Sequence, residues 1–141
     1  MTGPLFRLGR RYRFAAAHTL RSPWLSADEN RRVYGKCAHS GGHGHEYVVE
    51  VIVAAGSLRD DIILPRGGLD DLVERIVAPK FAYRDLNESF GPGFITTGEN
   101  LARATYDLLA PHLPANVRLT VRVVETEKNA FAYRGAGAHT P

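Results

Sequence analysis

The pair His43-Gly44-His45 brings two metal-ligating side chains together at a spacing of two. In an extended backbone that period aims both imidazoles to one side, and Gly44 allows close packing between them. A third imidazole, His18, ends the alternating row Tyr12, Phe14, Ala16, His18. If the two segments pair as antiparallel strands, the three rings converge on one point. Three imidazoles suit tetrahedral Zn²⁺ at about 2.0–2.1 Å, with the fourth position left for water or substrate. Against this stands the reading of His18 as a packed strand-end histidine, with an adventitious HxH pair beside it.

Cys37 is the only cysteine, so no intrachain disulfide exists, and the thiol is packing, ligand or reactive group. It precedes His43 by six positions in a loop able to fold back over a metal. As a fourth ligand it closes a structural site. As a free thiol beside a dication and Lys36 its pKa falls, giving a base or nucleophile near neutral pH. His39 offers a competing local knuckle, Cys-x-His-x₃-His-x-His, which leaves His18 unexplained. Glu125 ends the apolar row Val117, Leu119, Val121, Val123. A carboxylate there needs donors, and it matches the paired N–H edge of a pterin or guanine; the alternative is that the row ends at Val123 and Glu125 points to water.

The elements that must position these groups read clearly. Residues Arg10–His18 alternate as a half-buried strand, and His43, His45, Tyr47, Val49, Val51 and Val53 share one face of a second. Between them Ser26 and Glu29 form a capping box for a short helical turn before the Gly-rich stretch Ser40–Gly44. Ile62–Leu64 reads as a short strand broken by Pro65. Leu69, Leu72, Val73, Ile76 and Val77 then recur at helical spacing until Pro79. A second helix starts near Thr97, with Thr96 and Glu99 as its capping box and Leu101, Ala104, Leu108 and Leu109 inward. A third strand follows, and a turn at Glu127–Asn129 leads to a fourth at Phe131–Tyr133. The expected architecture is α+β in the order β-β-α-α-β-β: an antiparallel sheet with two helices on one face, a single domain over residues 1–141, and a loose tail at Gly135–Pro141. Exposed sheet edges call for a homo-oligomer.

Composition narrows the function. The chain has 141 residues, of which 18 are Lys or Arg and 15 Asp or Glu, a net charge of +3. That is mild for a nucleic-acid binder and suits a small anionic substrate. No apolar run approaches the roughly 20 residues of a membrane span, and Met1–Arg13 lacks the apolar stretch of a signal peptide, so the expectation is a cytoplasmic protein with no membrane or nucleic-acid partner.

Five motifs in order resemble the 6-pyruvoyl-tetrahydropterin synthase family, which includes the 6-carboxytetrahydropterin synthases of queuosine biosynthesis. They are Phe14-Ala-Ala-Ala-His18, the loop from Ser22-Pro23 to Gly35-Lys36-Cys37, Gly42-His43-Gly44-His45-x-Tyr47, Thr97-Gly98-Glu99-Asn100-Leu101-Ala102, and Val124-Glu125-Thr126 through Ala132-Tyr133-Arg134-Gly135. The gap between Cys37 and His43 is like that of the pyruvoyl-type enzymes. The resemblance implies the tunnelling fold, with strands paired between subunits into a barrel, a trimer or hexamer, and active sites between subunits. It also implies zinc on His18, His43 and His45, a catalytic Cys37, and a pterin held by Glu125 with Thr97 and Glu99. The implied substrate is 7,8-dihydroneopterin triphosphate, as in tetrahydrobiopterin biosynthesis: zinc binds the side-chain hydroxyls, the thiolate removes protons and triphosphate leaves.

The chain departs from the pattern at two places. The family's Leu-Asp-His is replaced by Phe81-Ala82-Tyr83, which leaves Tyr83 as the candidate proton-transfer partner, and the acidic position before the first helix is lost at Leu64-Pro65-Arg66. A diverged enzyme with aldolase-like side-chain cleavage, or a protein that binds zinc and pterin without turnover, is the alternative.

Overall fold

Two thirteen-residue strands carry the architecture: β1 (Phe6–His18) and β2 (His43–Ala55). They pair antiparallel along their whole length, from Phe6 opposite Ala55 to His18 opposite His43. The computed structural model describes residues 5–39 and 42–136, without the side chain of His43. The alternation expected from the sequence is present: along β1 exposure falls at Tyr12, Phe14, Ala16 and His18, and in β2 Tyr47, Val49, Val51 and Val53 are fully buried. Because a one-residue slip would turn every one of these side chains to water, the buried row fixes the register that sets the two histidine-bearing strand ends side by side.

The sheet is completed by β3 (Arg84–Asp85), β4 (Arg118–Val124) and β5 (Ala130–Tyr133), in the order β3-β1-β2-β4-β5. It is not antiparallel throughout: β3 pairs with β1 in parallel at Ala16 and Ala17. So short a strand has no periodicity of its own and forms only because the chain passes the β1 edge after a helix. The segment expected as a strand at Ile62–Leu64 is irregular, with only an isolated bridge from Arg59 to Ile62 around Asp60 and Asp61. Both aspartates have positive φ, a tight turn that Asp tolerates, and Pro65 has no N–H to extend a ladder.

Helix α1 (Ala27–Tyr34) starts with the expected capping box, the Ser26 side chain accepting from Glu29 N and the Glu29 side chain from Ser26 N. Buried Asn30 anchors the preceding loop: its Oδ1 accepts from Ser22 N at 2.7 Å and its Nδ2 donates to Ser22 O and Leu25 O at 3.1 Å. A 3₁₀ turn (Gly35–Ala38) then carries Cys37, whose carbonyl accepts from Leu20 N at 2.7 Å. The cysteine loop is thereby tied to the end of β1.

Helix α2 (Gly68–Leu72) does not stop at Pro79. It runs through a π-helical segment (Val73–Val77) into α3 (Ala78–Phe81). A proline in a regular helix clashes with the carbonyl four residues back, and the widened turn just before it relieves that clash. After α4 (Leu86–Phe90) comes α5 (Gly98–Leu109), capped one residue later than the sequence suggests: Thr97 is the N-cap and its hydroxyl accepts from Asn100 N at 3.3 Å. Thr96 and Glu99 form no capping box, and Thr96 is fully buried instead. The inward side of α5 is Leu101, Ala102, Thr105 and Leu109, with Ala104 and Leu108 half-buried. Helices α2, α3 and α5 cover one sheet face and share its core with the β2 valines, Leu119, Val121 and Val123. Arg10 and Tyr12 of β1 pin the start of α2 through Asp70, at 2.8 Å and 2.6 Å. The tail from residue 137 onward lies outside the described residues.

Candidate metal centre

Where β1 ends, β2 begins and β4 has just ended, four chemistry-bearing side chains meet. His18 is 1% exposed and its Nδ1 lies 2.9 Å from the Thr96 carbonyl. A carbonyl only accepts, so Nδ1 carries the proton and, in the neutral ring, the Nε2 lone pair is directed inward. This is the arrangement by which a backbone acceptor orients a metal-binding imidazole. His45 packs edge-on against His18, with ring centroids 5.0 Å apart, and Tyr47 closes the other side at 5.9 Å from His18. The ligand atoms of His18, Cys37 and His45 all lie within 4.8 Å of one another.

The carboxylate of Glu125 faces the same point. Its Oε1 is 3.2 Å from His18 Nε2, 3.7 Å from His45 Nε2 and 3.5 Å from the Tyr47 hydroxyl, and the side chain is only 10% exposed. His18 Nε2 is buried and makes no hydrogen bond. An imidazole lone pair turned toward a carboxylate oxygen is repulsive unless a positive charge lies between them, so the pocket requires either a proton or a cation. With the ring protonated, His18 becomes a donor and holds the Glu125 carboxyl below its usual range, assisted by charge from His45 and opposed by desolvation. With the ring neutral, the His18 and His45 nitrogens are borderline donors of the kind Zn²⁺ favours, and the Cys37 sulfur lies close enough to act on what the ion would bind. The residues present fit that ion.

Burial first, then the Glu125 carboxylate, push the Cys37 thiol above the ordinary range. Burial and Glu125 also push the Tyr47 phenol up, keeping it a donor. A dication among these groups would act in the opposite direction on the thiol.

The sequence-expected residues do not all converge. His18, Cys37, His45 and Glu125 come together, and the apolar row of β4 does extend to Glu125 rather than ending at Val123. His43 lies opposite His18 in the β1–β2 register, and its side chain lies outside the described residues. Thr97 and Glu99 sit at the start of α5, where the Thr97 hydroxyl serves as helix cap and Glu99 is exposed. Tyr83 stands apart: the residue is 91% exposed, outside the buried cluster. Its φ of 56° is unusual for an aromatic residue, and the conformation is held by Tyr83 N donating to Ala15 O at 2.7 Å. His39 is exposed and does not belong to the three-ligand cluster found among the described residues. Thr96 is the site residue that sequence reasoning missed, since it acts through a backbone carbonyl, which every residue has.

Residues 7–136 match the family model of 6-pyruvoyl tetrahydropterin synthase. The chain is 36% identical over 132 residues to the 6-pyruvoyl tetrahydrobiopterin synthase of Dictyostelium discoideum, covering 91% of this chain and 95% of that one. It is 36% identical over 126 residues to the protein of that name from Poecilia reticulata, covering 86% and 85%. The solved structure of Caenorhabditis elegans 6-pyruvoyl tetrahydropterin synthase superposes with a TM-score of 0.86 at 30% identity, over 96% of this chain and 99% of that one.

Proposed function

The chain belongs to the 6-pyruvoyl tetrahydropterin synthase family, and from that membership we propose that it is a zinc-dependent carbon–oxygen lyase acting on 7,8-dihydroneopterin triphosphate or a related dihydropterin. The observation that carries the reading is the convergence of His18, His45, Cys37 and Glu125 on one buried point. His18 and His45 hold the ion, with His43 as the third ligand. Zinc bound there supplies Lewis-acid polarisation of the substrate's side-chain hydroxyls, which acidifies the adjacent C–H.

The chain's own residues do the rest. Thr96 holds His18 in the tautomer that leaves Nε2 free to ligate. Cys37, as thiolate, takes the proton from the hydroxyl-bearing carbon next to the one that carries the triphosphate. The C–H electron pair forms a double bond to that carbon as its C–O bond breaks and triphosphate leaves with the bond's electrons, and the enol so formed takes a proton back at the terminal carbon to become a ketone. Glu125 accepts two parallel N–H bonds from the pterin ring edge, the imidazoles beside it being those that would hold the ion. Thr97 and Glu99 contribute to the same binding from the start of α5.

Tyr83 is exposed in its own chain, so its role as proton partner of Cys37 is played in a neighbouring copy. The β1 edge supports such an assembly: among the described residues β3 covers only Ala16 and Ala17, which leaves a long run of unpaired backbone for strand addition in a trimer or hexamer. The replacement of the family's Asp-His by Ala82-Tyr83 favours one second reading, in which the same site cleaves the side chain in an aldolase-like step. No helix among the described residues is long and apolar enough to cross a membrane.

The reading is tested with Cys37→Ala. Zinc content equal to that of the unaltered protein, with triphosphate release abolished, supports it. Zinc loss as complete as in His43→Ala makes Cys37 a structural ligand and removes the base.

A further inference from the structure

On the sheet face turned away from the helices, the register arranges side chains in rows of three across β1, β2 and β4. One row is Arg11, Glu50, Arg122. Another, four residues along each strand, is Arg7, Ala54, Arg118. The outer positions are the same and the centres differ. In the first row Glu50 stands between two guanidiniums, with Oε2 at 2.6 Å from Arg11 Nε and Oε1 at 3.9 Å from Arg122 Nη1. In the second the centre is a methyl group. A cleft of about 690 Å³ opens at this end of the sheet and continues round the β4 edge to the C-terminal end of α5; Arg7, Arg118 and Arg134 line it with the hydroxyl-bearing Thr120 and Tyr106 and apolar side chains such as Leu113, and among the described residues no Asp or Glu does.

We propose that this cleft binds a phosphate-chain anion, seated where Glu50 sits in the other row. Strands lie about 4.8 Å apart, so Arg7 and Arg118 flank Ala54 at roughly 10 Å across the row, and an arginine side chain is long enough to reach the centre from either side. Arginine presents paired donors that match phosphate oxygens, and among the described residues no ion pair to a carboxylate holds either of these two. The row between is Gly9, Ile52, Thr120, and with no side chain at Gly9 it leaves space beside the seat. Donors spread over roughly 10 Å across the row, with the Thr120 hydroxyl beside them, span more than one phosphate group, which favours a chain of phosphates over a single one.

This site is separate from the metal centre. Arg118 and Glu125 are seven residues apart at opposite ends of β4, about 23 Å at the usual strand rise. The inference therefore goes beyond the proposed reaction and does not depend on it.

The test is calorimetric titration of the zinc-loaded protein with inorganic tripolyphosphate at low ionic strength, with inorganic phosphate as a second probe. Arg118→Gln should weaken tripolyphosphate binding about tenfold, the scale of one lost charge-assisted pair on a surface cleft. Ala54→Glu should weaken it further, because it supplies the internal carboxylate that the Arg11, Glu50, Arg122 row already has. Zinc content should not change in either variant. Should Ala54→Glu fail to fold, Arg7→Gln takes its place, since Arg7 is an exposed side chain. Tripolyphosphate should bind at least tenfold tighter than phosphate and weaken with added salt. Wild-type affinity in these variants, or equal affinity for the two probes, would overturn the proposal.

Discussion

Replacing Glu125 by glutamine keeps the shape of the side chain and removes its charge. In the structure that carboxylate is 10% exposed, close to two imidazoles and the Tyr47 hydroxyl. Solvent screening there is weak, so its hydrogen bonds belong in the charged class rather than with surface pairs. A carboxylate offers two acceptors to the adjacent N–H groups of a pterin edge. Glutamine offers one, and turns an NH₂ toward the other N–H. The expected loss is about 1.5–3 kcal/mol of pterin affinity, or roughly 10- to 150-fold. Fluorescence titration of the zinc-loaded protein with neopterin, which binds through the same ring edge, measures it, and metal analysis on the same sample should show zinc unchanged. Unaltered affinity would remove Glu125 from the ring site. Zinc loss comparable to His18→Ala would make Glu125 a ligand instead.

Restoring the family's pair with Ala82→Asp and Tyr83→His should raise triphosphate release by about 10²–10⁴-fold if a positioned acid–base group is what the chain lacks; Tyr83→Phe should lower turnover with pterin affinity retained. Unchanged rates in both, by stopped-flow phosphate-chain release, would separate this loop from the chemistry. The Asp70 carboxyl is held below its ordinary range by its hydrogen bonds from Arg10 and then Tyr12. A depressed folded pKa contributes stability that is present above the ordinary carboxylate value and is lost as pH falls through the folded one. Urea midpoints measured from pH 7 down to pH 2 should therefore fall less steeply in Asp70→Asn, and the difference should shrink at high salt because the pair is exposed. An identical pH profile would show that this link between β1 and α2 contributes nothing to stability.

The parts of the site that were legible in the sequence lie on strands with one buried face. His18 and His45 each continue a row of buried side chains, and a period of two leaves one choice of side. Glu125 follows the same logic at the end of β4. What the sequence hid depends on tertiary contact. The two-residue β3 exists because the chain happens to pass Ala16 and Ala17. The π-helical turn before Pro79 lets a helix continue where the residue type predicts a stop. Thr96 and Thr97 are adjacent and alike, so only the fold distinguishes the cap from the residue whose carbonyl orients His18. The exposure of Tyr83 comes from a left-handed backbone conformation that aromatic residues rarely adopt, and nothing in the spacing of Ala82-Tyr83-Arg84 signals it.

We propose that the buried point shared by His18, His45, Cys37 and Glu125 holds zinc and drives elimination of triphosphate from a dihydropterin side chain. The most direct measurement is product identification by mass after incubating 7,8-dihydroneopterin triphosphate with zinc-loaded protein and with protein stripped by chelator and then reconstituted. The account predicts about one zinc per chain, a pterin product that has lost the triphosphate group, no conversion after stripping, and recovery on adding Zn²⁺. Intact substrate in the presence of fully zinc-loaded protein, or conversion that survives removal of the metal, would contradict it.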